Sequence, residues 1–220
     1  MARPRLRLVL AVSLDGRLAP AEGGAAQLGG PGDRRQLEEA LSWADAVLLG
    51  AQTLRLHRTS CLIHAPDLLQ LRRHRGLPLQ PPVLVWSRCG QIPADLPFFQ
   101  QPLERWLLLA APAGSLSSAV AEGFRRILPF EGWPQSLDRL GALGLRRVVV
   151  LGGAQLAAAL VAAEALDELQ LTVCPKLLGG GHLWLPAGAW SDASIRWELL
   201  TQKELEGGEQ LLHYGRQPAA

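Results

Sequence analysis

Three places in this sequence of 220 residues carry residue types suited to holding an anionic ligand. The first is Leu151-Gly152-Gly153-Ala154-Gln155-Leu156, where a valine run meets an Ala/Leu-rich one. Glycines between a strand and a helix let the backbone approach a phosphate closely. The helix behind them offers free N–H groups and the positive end of its dipole. Small residues here also suit tight helix-on-strand packing, so a pyrophosphate cradle and plain packing both fit. The spacing matches neither a Walker A loop nor a full G-x-G-x-x-G. The second place is Leu49-Gly50-Ala51-Gln52-Thr53, where Thr53 either caps a helix or donates to a phosphate. The third is Ser87-Arg88, directly after the apolar run Pro82–Trp86. An arginine beside a bound ribose favours the 2′-phosphate of NADP over NAD, although a lone arginine is more often simply on the surface. Taken together, two phosphate-competent turns and one arginine, all at strand ends, fit an elongated dinucleotide in one groove.

Other candidates are weaker. Asp33 with Gln36 reads as a capping-box variant that opens a helix. Asp15 in Asp15-Gly16 reads as a turn former. Lys176 with Gly179–Gly181 suits a structural loop or a dimer contact more than a substrate phosphate. Seven tryptophans suggest buried anchors before any stacking platform. Cys61, Cys89 and Cys174 make no metal or redox spacing, and no two histidines form H-x-x-x-H, so no metal site is expected. The net charge of +2 shows no basic face for nucleic acid. Arg72, Arg73 and Arg75 read as a solvated helix end. The N-terminal apolar run Leu8–Val12 is too short for a secretory core, and no stretch is long and apolar enough to span a bilayer. A cytoplasmic protein without membrane partners is expected.

The elements that must position these residues follow from periodicity. Arg5–Val12, Ala46–Leu49, Pro82–Trp86, Trp106–Ala110, Arg146–Leu151 and Glu168–Cys174 read as strands. Helices are expected from Asp33, from Thr53, and over Pro66–Arg75, Ser115–Glu122, Gln135–Leu143 and Ala154–Ala165. In the first of these, Leu37, Ala40, Leu41 and Ala44 share one face. Ile195–Leu200 and Glu209–Tyr214 form a hairpin across Gly207-Gly208. Strands alternating with helices imply one α/β domain, with a mostly parallel sheet covered on both faces and an antiparallel edge at the C-terminus.

These blocks resemble the pyrimidine-reductase half of the riboflavin-biosynthesis deaminase/reductase family. Leu10-Ala11-Val12-Ser13-Leu14-Asp15-Gly16-Arg17-Leu18-Ala19 is similar to that family's opening strand and loop, and Gly50-Ala51-Gln52-Thr53 to its G-x-x-T turn. Gly152-Gly153-Ala154-Gln155-Leu156, Asp167-Glu168-Leu169 and Pro175-Lys176-Leu177-Leu178-Gly179-Gly180-Gly181 follow in the family's order. The resemblance implies a three-layer dihydrofolate-reductase-like fold, NADPH as hydride donor and a homodimer. It implies reduction of the ribosyl group of 5-amino-6-(5-phosphoribosylamino)uracil to ribityl. By the same resemblance Ala11 lies near the nicotinamide, Thr53 and Gly153 to Leu156 meet the phosphates, and Ser87 meets the adenosine end.

The sequence departs from the family where the substrate would sit. His57-Arg58-Thr59 replace an acidic pair and proline, Leu151 replaces a glutamate, and Ala25-Ala26-Gln27-Leu28-Gly29 replace a Ser/Trp/Thr-containing segment. Neither H-x-E nor P-C-x-x-C of a zinc deaminase is present, so reduction alone is expected. Water, His57 or Asp33 are the candidate proton sources. In folate-reducing relatives an acidic residue similarly placed in the first helix grips the pterin, which gives Asp33 a second reading as a substrate contact. Reduction of another pteridine or folate-like molecule, and a non-catalytic nucleotide-binding role, are the alternatives.

Overall fold

Apolar runs between helix-forming runs become strands joined by helical crossovers. The computed structural model describes residues 2–24, 27–112, 116–186, 188 and 195–217. Among them the order is β1 (Arg5–Ser13), α1 (Pro31–Trp43), β2 (Ala46–Gly50), α2 (Ala51–His57), α3 (Pro66–His74), β3 (Val83–Ser87), β4 (Arg105–Leu109), α4 (Ser118–Glu122) and β5 (Arg126–Pro129). Then come α5 (Trp133–Ala142), β6 (Arg147–Val150), α6 (Ala154–Ala162), β7 (Glu168–Cys174), β8 (Trp197–Glu204) and β9 (Gln210–Arg216). None of the described helices is long and apolar enough to cross a membrane. The chain forms two compact units, Met1–Pro4 with Glu38–Val149, and Arg5–Leu37 with Val150–Ala220.

In the first unit the strand order is β5-β4-β3-β2-β6. β2, β3, β4 and β5 are mutually parallel, so their carboxyl ends point one way. β2 is buried throughout, as expected of a parallel strand covered on both faces. β5 was not expected. Its sequence, Arg-Ile-Leu-Pro, is short and half-exposed, and its arginine and proline suit a sheet edge, where no further strand needs its N–H groups. Arg72 departs from the expected solvated helix end. It is fully buried, and its guanidinium donates to the carbonyls of Leu41 (3.1 Å), Ser42 (3.2 Å), Ala44 (2.6 Å) and Pro78 (2.7 Å). It thereby gives a donor to carbonyls at the end of α1, where Leu41 also accepts the Ala44 N–H at 3.2 Å.

In the second unit the order is β1-β7-β9-β8, with β1 and β7 parallel and the other two pairs antiparallel. β8 and β9 are the expected hairpin, turning through Gly207 and Gly208 at φ 82° and 76°. β7 carries its polar residues inward. Glu168, Gln170, Thr172 and Cys174 share one face and are all buried. Gln170 Nε2 donates to the Gln36 carbonyl of α1 at 3.4 Å, which places the first turns of α1 over that face.

Candidate functional site

The expected turns after β2 and β3 lie side by side in the first unit. Gly50 stands opposite Trp86 in the parallel register, so α2 starts beside the end of β3. Gly50 is the N-cap of α2, and no side chain caps that helix. Thr53 sits inside the first turn, so the capping role considered for it is not the one it takes. The N-cap therefore offers no side chain to the first-turn N–H groups of α2, the turn to which Thr53 belongs. Arg55 fixes this corner. It donates to Gln52 Oε1 at 3.1 and 2.8 Å and to the Gln91 carbonyl, beyond β3, at 2.6 Å. Ser87 is buried, and its Oγ accepts the Gly90 N–H at 3.0 Å, which shapes the turn that carries Arg88. Arg88 is exposed, with no ion-pair partner among the described residues. His57 is exposed in the last turn of α2.

In the second unit the turn between β6 and α6 needs glycine at two positions. Gly152 and Gly153 have φ of 50° and 40°. A Cβ on Gly152 would also stand 2.5 Å from Leu10 Cδ2. Gly153 is the N-cap of α6, and again no side chain caps the helix. The N–H groups of Ala154, Gln155 and Leu156 form an open helix N-terminus of the kind that binds phosphate. The Leu156 side chain is in the core, so only its backbone is available to a ligand.

Ala11 on β1 pairs with Thr172 on β7. Beyond Ala11, the loop after β1 is locked by Asp15. Its carboxylate accepts from the Ser13 hydroxyl (2.5 Å) and from the backbone N–H groups of Leu178 (3.1 Å) and Gly179 (2.8 Å). The Ser13 hydroxyl above all, then the Leu178 N–H, holds this carboxyl well below the usual carboxylate range. Asp15 is thus the turn former that Asp-Gly implies, and the glycine-rich segment after β7 is its structural partner. Leu14 and Leu177, on the two joined loops, are 62% and 75% exposed, an apolar lip beside the ends of β1 and β7.

Asp33 corrects an expectation. α1 starts at Pro31, because proline lacks only an N–H that the first turn leaves unpaired anyway. Asp33 therefore lies inside the first turn and is no N-cap. It is half-buried, and it accepts a hydrogen bond from Thr172. Burial raises its carboxyl above the ordinary range and the charge of Glu209 adds to the rise, while the Thr172 hydrogen bond opposes it. Glu209 is buried beside Cys174 and accepts the Gly30 N–H at 2.7 Å. Burial, then Glu209 and Asp33, push the Cys174 thiol up to about 12. Sequence reasoning missed Glu209 and Thr172. The available signal was the strict alternation Glu-Leu-Gln-Leu-Thr-Val-Cys of β7, a polar stripe on a strand paired on both sides.

The family model of the RibD C-terminal domain matches residues 4–209. The chain belongs to the RibD C-terminal domain family. This RibD C-terminal domain is 28% identical over 187 residues to the riboflavin biosynthesis protein RibD of Haemophilus influenzae, covering 80% of the chain. The chain spans only 48% of that protein's length. It is 24% identical over 187 residues to the 2,5-diamino-6-ribosylamino-4(3H)-pyrimidinone 5′-phosphate reductase of Methanothermobacter thermautotrophicus, covering 81% of each. Among solved structures, RibD of Acinetobacter baumannii superposes with a TM-score of 0.81 at 20% identity, over 98% of this chain and 59% of the other. A pyrimidine reductase-like protein of Corynebacterium diphtheriae does so with a TM-score of 0.78 at 19% identity, over 98% and 93%. The fold expected from the sequence is thus the fold of RibD C-terminal domains. Of the segment from Ala25 to Gly29, Ala25 and Ala26 lie outside the described residues, as does Ser115 at the expected start of α4.

Proposed function

We propose that this RibD C-terminal domain is an NADPH-dependent reductase of riboflavin biosynthesis. It reduces the ribosyl group of 5-amino-6-(5-phosphoribosylamino)uracil to ribityl, as a cytoplasmic homodimer. The observation that carries this reading is the family match across residues 4–209. A relative named as a pyrimidinone phosphate reductase supports the substrate class. The cofactor would be held by the first-turn backbone of α2 with Gly50 and Thr53, by Ser87 and Arg88, and by Gly152, Gly153, Ala154, Gln155 and Leu156, with Ala11 near its nicotinamide. When bound it supplies the hydride. The chain supplies orientation and exclusion of water, and His57 and Asp33 are the proposed substrate contacts.

A second reading, reduction of a pteridine or folate-like molecule, is favoured by Leu151 and His57-Arg58-Thr59 in place of the acidic residues of the family. A substrate panel separates the two. NADPH oxidation is expected with the phosphoribosylamino-pyrimidine and not with dihydropterins or dihydrofolate. The reverse pattern favours the second reading, and no turnover by a folded sample that binds NADPH favours a non-catalytic role.

A further inference from the structure

A nucleotide with a pyrophosphate and a 2′-phosphate is recognised at two points, and the spacing of those points is part of the recognition. In the first unit the two points are the first turn of α2 and the turn after β3 that carries Arg88. Gly50 opposite Trp86 brings them together at the carboxyl ends of neighbouring parallel strands.

The two are held very differently. The first turn of α2 is part of a helix and is fixed by that helix's own backbone bonds. Residues 88–96 form neither helix nor strand, so no ladder fixes them. Ile92 and Leu96 anchor the later part of this segment in the core. Nearer Arg88, Ser87 Oγ accepts the Gly90 N–H at 3.0 Å, and the Gly90 carbonyl accepts the Ile92 N–H at 2.9 Å. Both bonds are local. They shape the turn without tying it to α2.

Arg55 makes that tie. Its Nη1 donates to the Gln91 carbonyl at 2.6 Å, while its Nε and Nη2 hold Gln52 Oε1 at 3.1 and 2.8 Å. Gln52 belongs to the first turn of α2, so one guanidinium joins that turn to the segment carrying Arg88. Two further links, Arg58 with Asp95 at 3.6 Å and the Phe98 N–H with the Arg58 carbonyl at 3.1 Å, lie at the opposite end of the helix. The chemistry also separates Arg55 from Arg88. Three of the five N–H donors of the Arg55 guanidinium are engaged within the chain, all on uncharged oxygens. Arg88 is exposed, with no ion-pair partner among the described residues. Arg55 is placed to hold, and Arg88 to bind.

We propose that Arg55 is a positioning residue for cofactor choice: it holds the turn after β3 against the first turn of α2, so that Arg88 meets the 2′-phosphate of NADPH. This rests on the NADPH reading above. Without the tether at Gln91 the segment must be ordered on binding, and that ordering weakens the contact Arg88 makes. NADH has no 2′-phosphate, gains nothing from Arg88 and is insensitive to the tether.

Calorimetric titration of the 220-residue chain with NADPH and with NADH tests this without turnover. The variants are Arg55→Ala, Gln52→Ala, Arg88→Ala and the Arg55→Ala/Arg88→Ala double variant, each checked for folding by circular dichroism. Arg55→Ala is expected to raise the Kd for NADPH about fivefold and that for NADH by less than about twofold. Gln52→Ala removes the oxygen that aims the guanidinium but keeps its charge, and should raise the NADPH Kd about threefold. With Arg88 already replaced, loss of Arg55 should change the NADPH Kd by less than about twofold, because the two act as one unit. Losses that multiply in the double variant overturn the proposal, since Arg55 would then bind the phosphate by itself. An equal loss for NADPH and NADH overturns it too. If Arg55→Ala does not fold, Gln52→Ala decides, and an NADPH Kd equal to that of wild type overturns the tether. Wild type that binds neither nucleotide overturns the NADPH reading and the proposal together. Wild type that prefers NADPH, with Arg55→Ala keeping that preference in full, overturns the proposal alone.

Discussion

Arg88 stands exposed one residue past β3, on a turn held by the hydrogen bond from the Gly90 N–H to Ser87 Oγ. A guanidinium without an ion-pair partner among the described residues, at the carboxyl end of a parallel strand, is matched in charge and shape to the 2′-phosphate of NADPH. Arg88→Ala is therefore expected to raise the KM for NADPH about tenfold and to leave the KM for NADH nearly unchanged. Steady-state kinetics with both cofactors check this. Equal loss for the two would make Arg88 a general contact without a role in cofactor choice. The position of Arg88 was legible in the sequence because it follows a recognisable strand end. Asp33 was legible only in part. Its acidic character and helical position could be read, but not that Pro31 starts the helix and so turns Asp33 toward Thr172. Glu209 was not legible, because its meaning depends on Gly30, 179 residues away in the chain.

At the scale of elements, β1, β2, β3, β4, β6 and β7 were readable because each is an apolar run bounded by turn residues. β5 was not, because an edge strand needs only one partner and its four residues carry no apolar run. Two interior networks of charge were also hidden, since pattern reading assigns charged residues to the surface. Arg72 is the clearer case. Burial above all lowers its guanidinium to about 10, yet it stays charged at neutral pH beneath its carbonyl acceptors. Arg72→Met removes the donor from those buried carbonyls and is expected to cost about 3 kcal/mol of unfolding free energy in chemical denaturation. A loss below about 0.5 kcal/mol would contradict its role as the cap of α1.

Glu168 is the second case. It takes ion pairs from Arg5 (2.5 Å) and Arg7 and a hydrogen bond from His213 (2.9 Å). Burial works against its charge, but His213 and the two arginines outweigh burial and hold the carboxyl down to about 2. The folded value lies below the ordinary 4.5, so the unfolded chain binds the proton more readily. The stabilisation is complete above about pH 4.5 and is lost as pH falls toward 2. Acid denaturation should show this, and Glu168→Gln should flatten the dependence in that window. An unchanged acid limb in the variant would contradict the assignment.

For the molecule as a whole, the proposed function is hydride transfer to a sugar carbon, on the fold of RibD C-terminal domains. The fold follows from the alternation of strands and helices, and the family from blocks spread over most of the chain. The reaction itself is tested most directly by the fate of the hydride. NADPH deuterated at both C4 positions of the dihydronicotinamide is incubated with the protein and 5-amino-6-(5-phosphoribosylamino)uracil, and the product is fragmented by mass spectrometry. The account predicts a ribityl product with a single deuterium on the former anomeric carbon. Deuterium in the heterocycle, or oxidation of the cofactor without a labelled ribityl product, would contradict it.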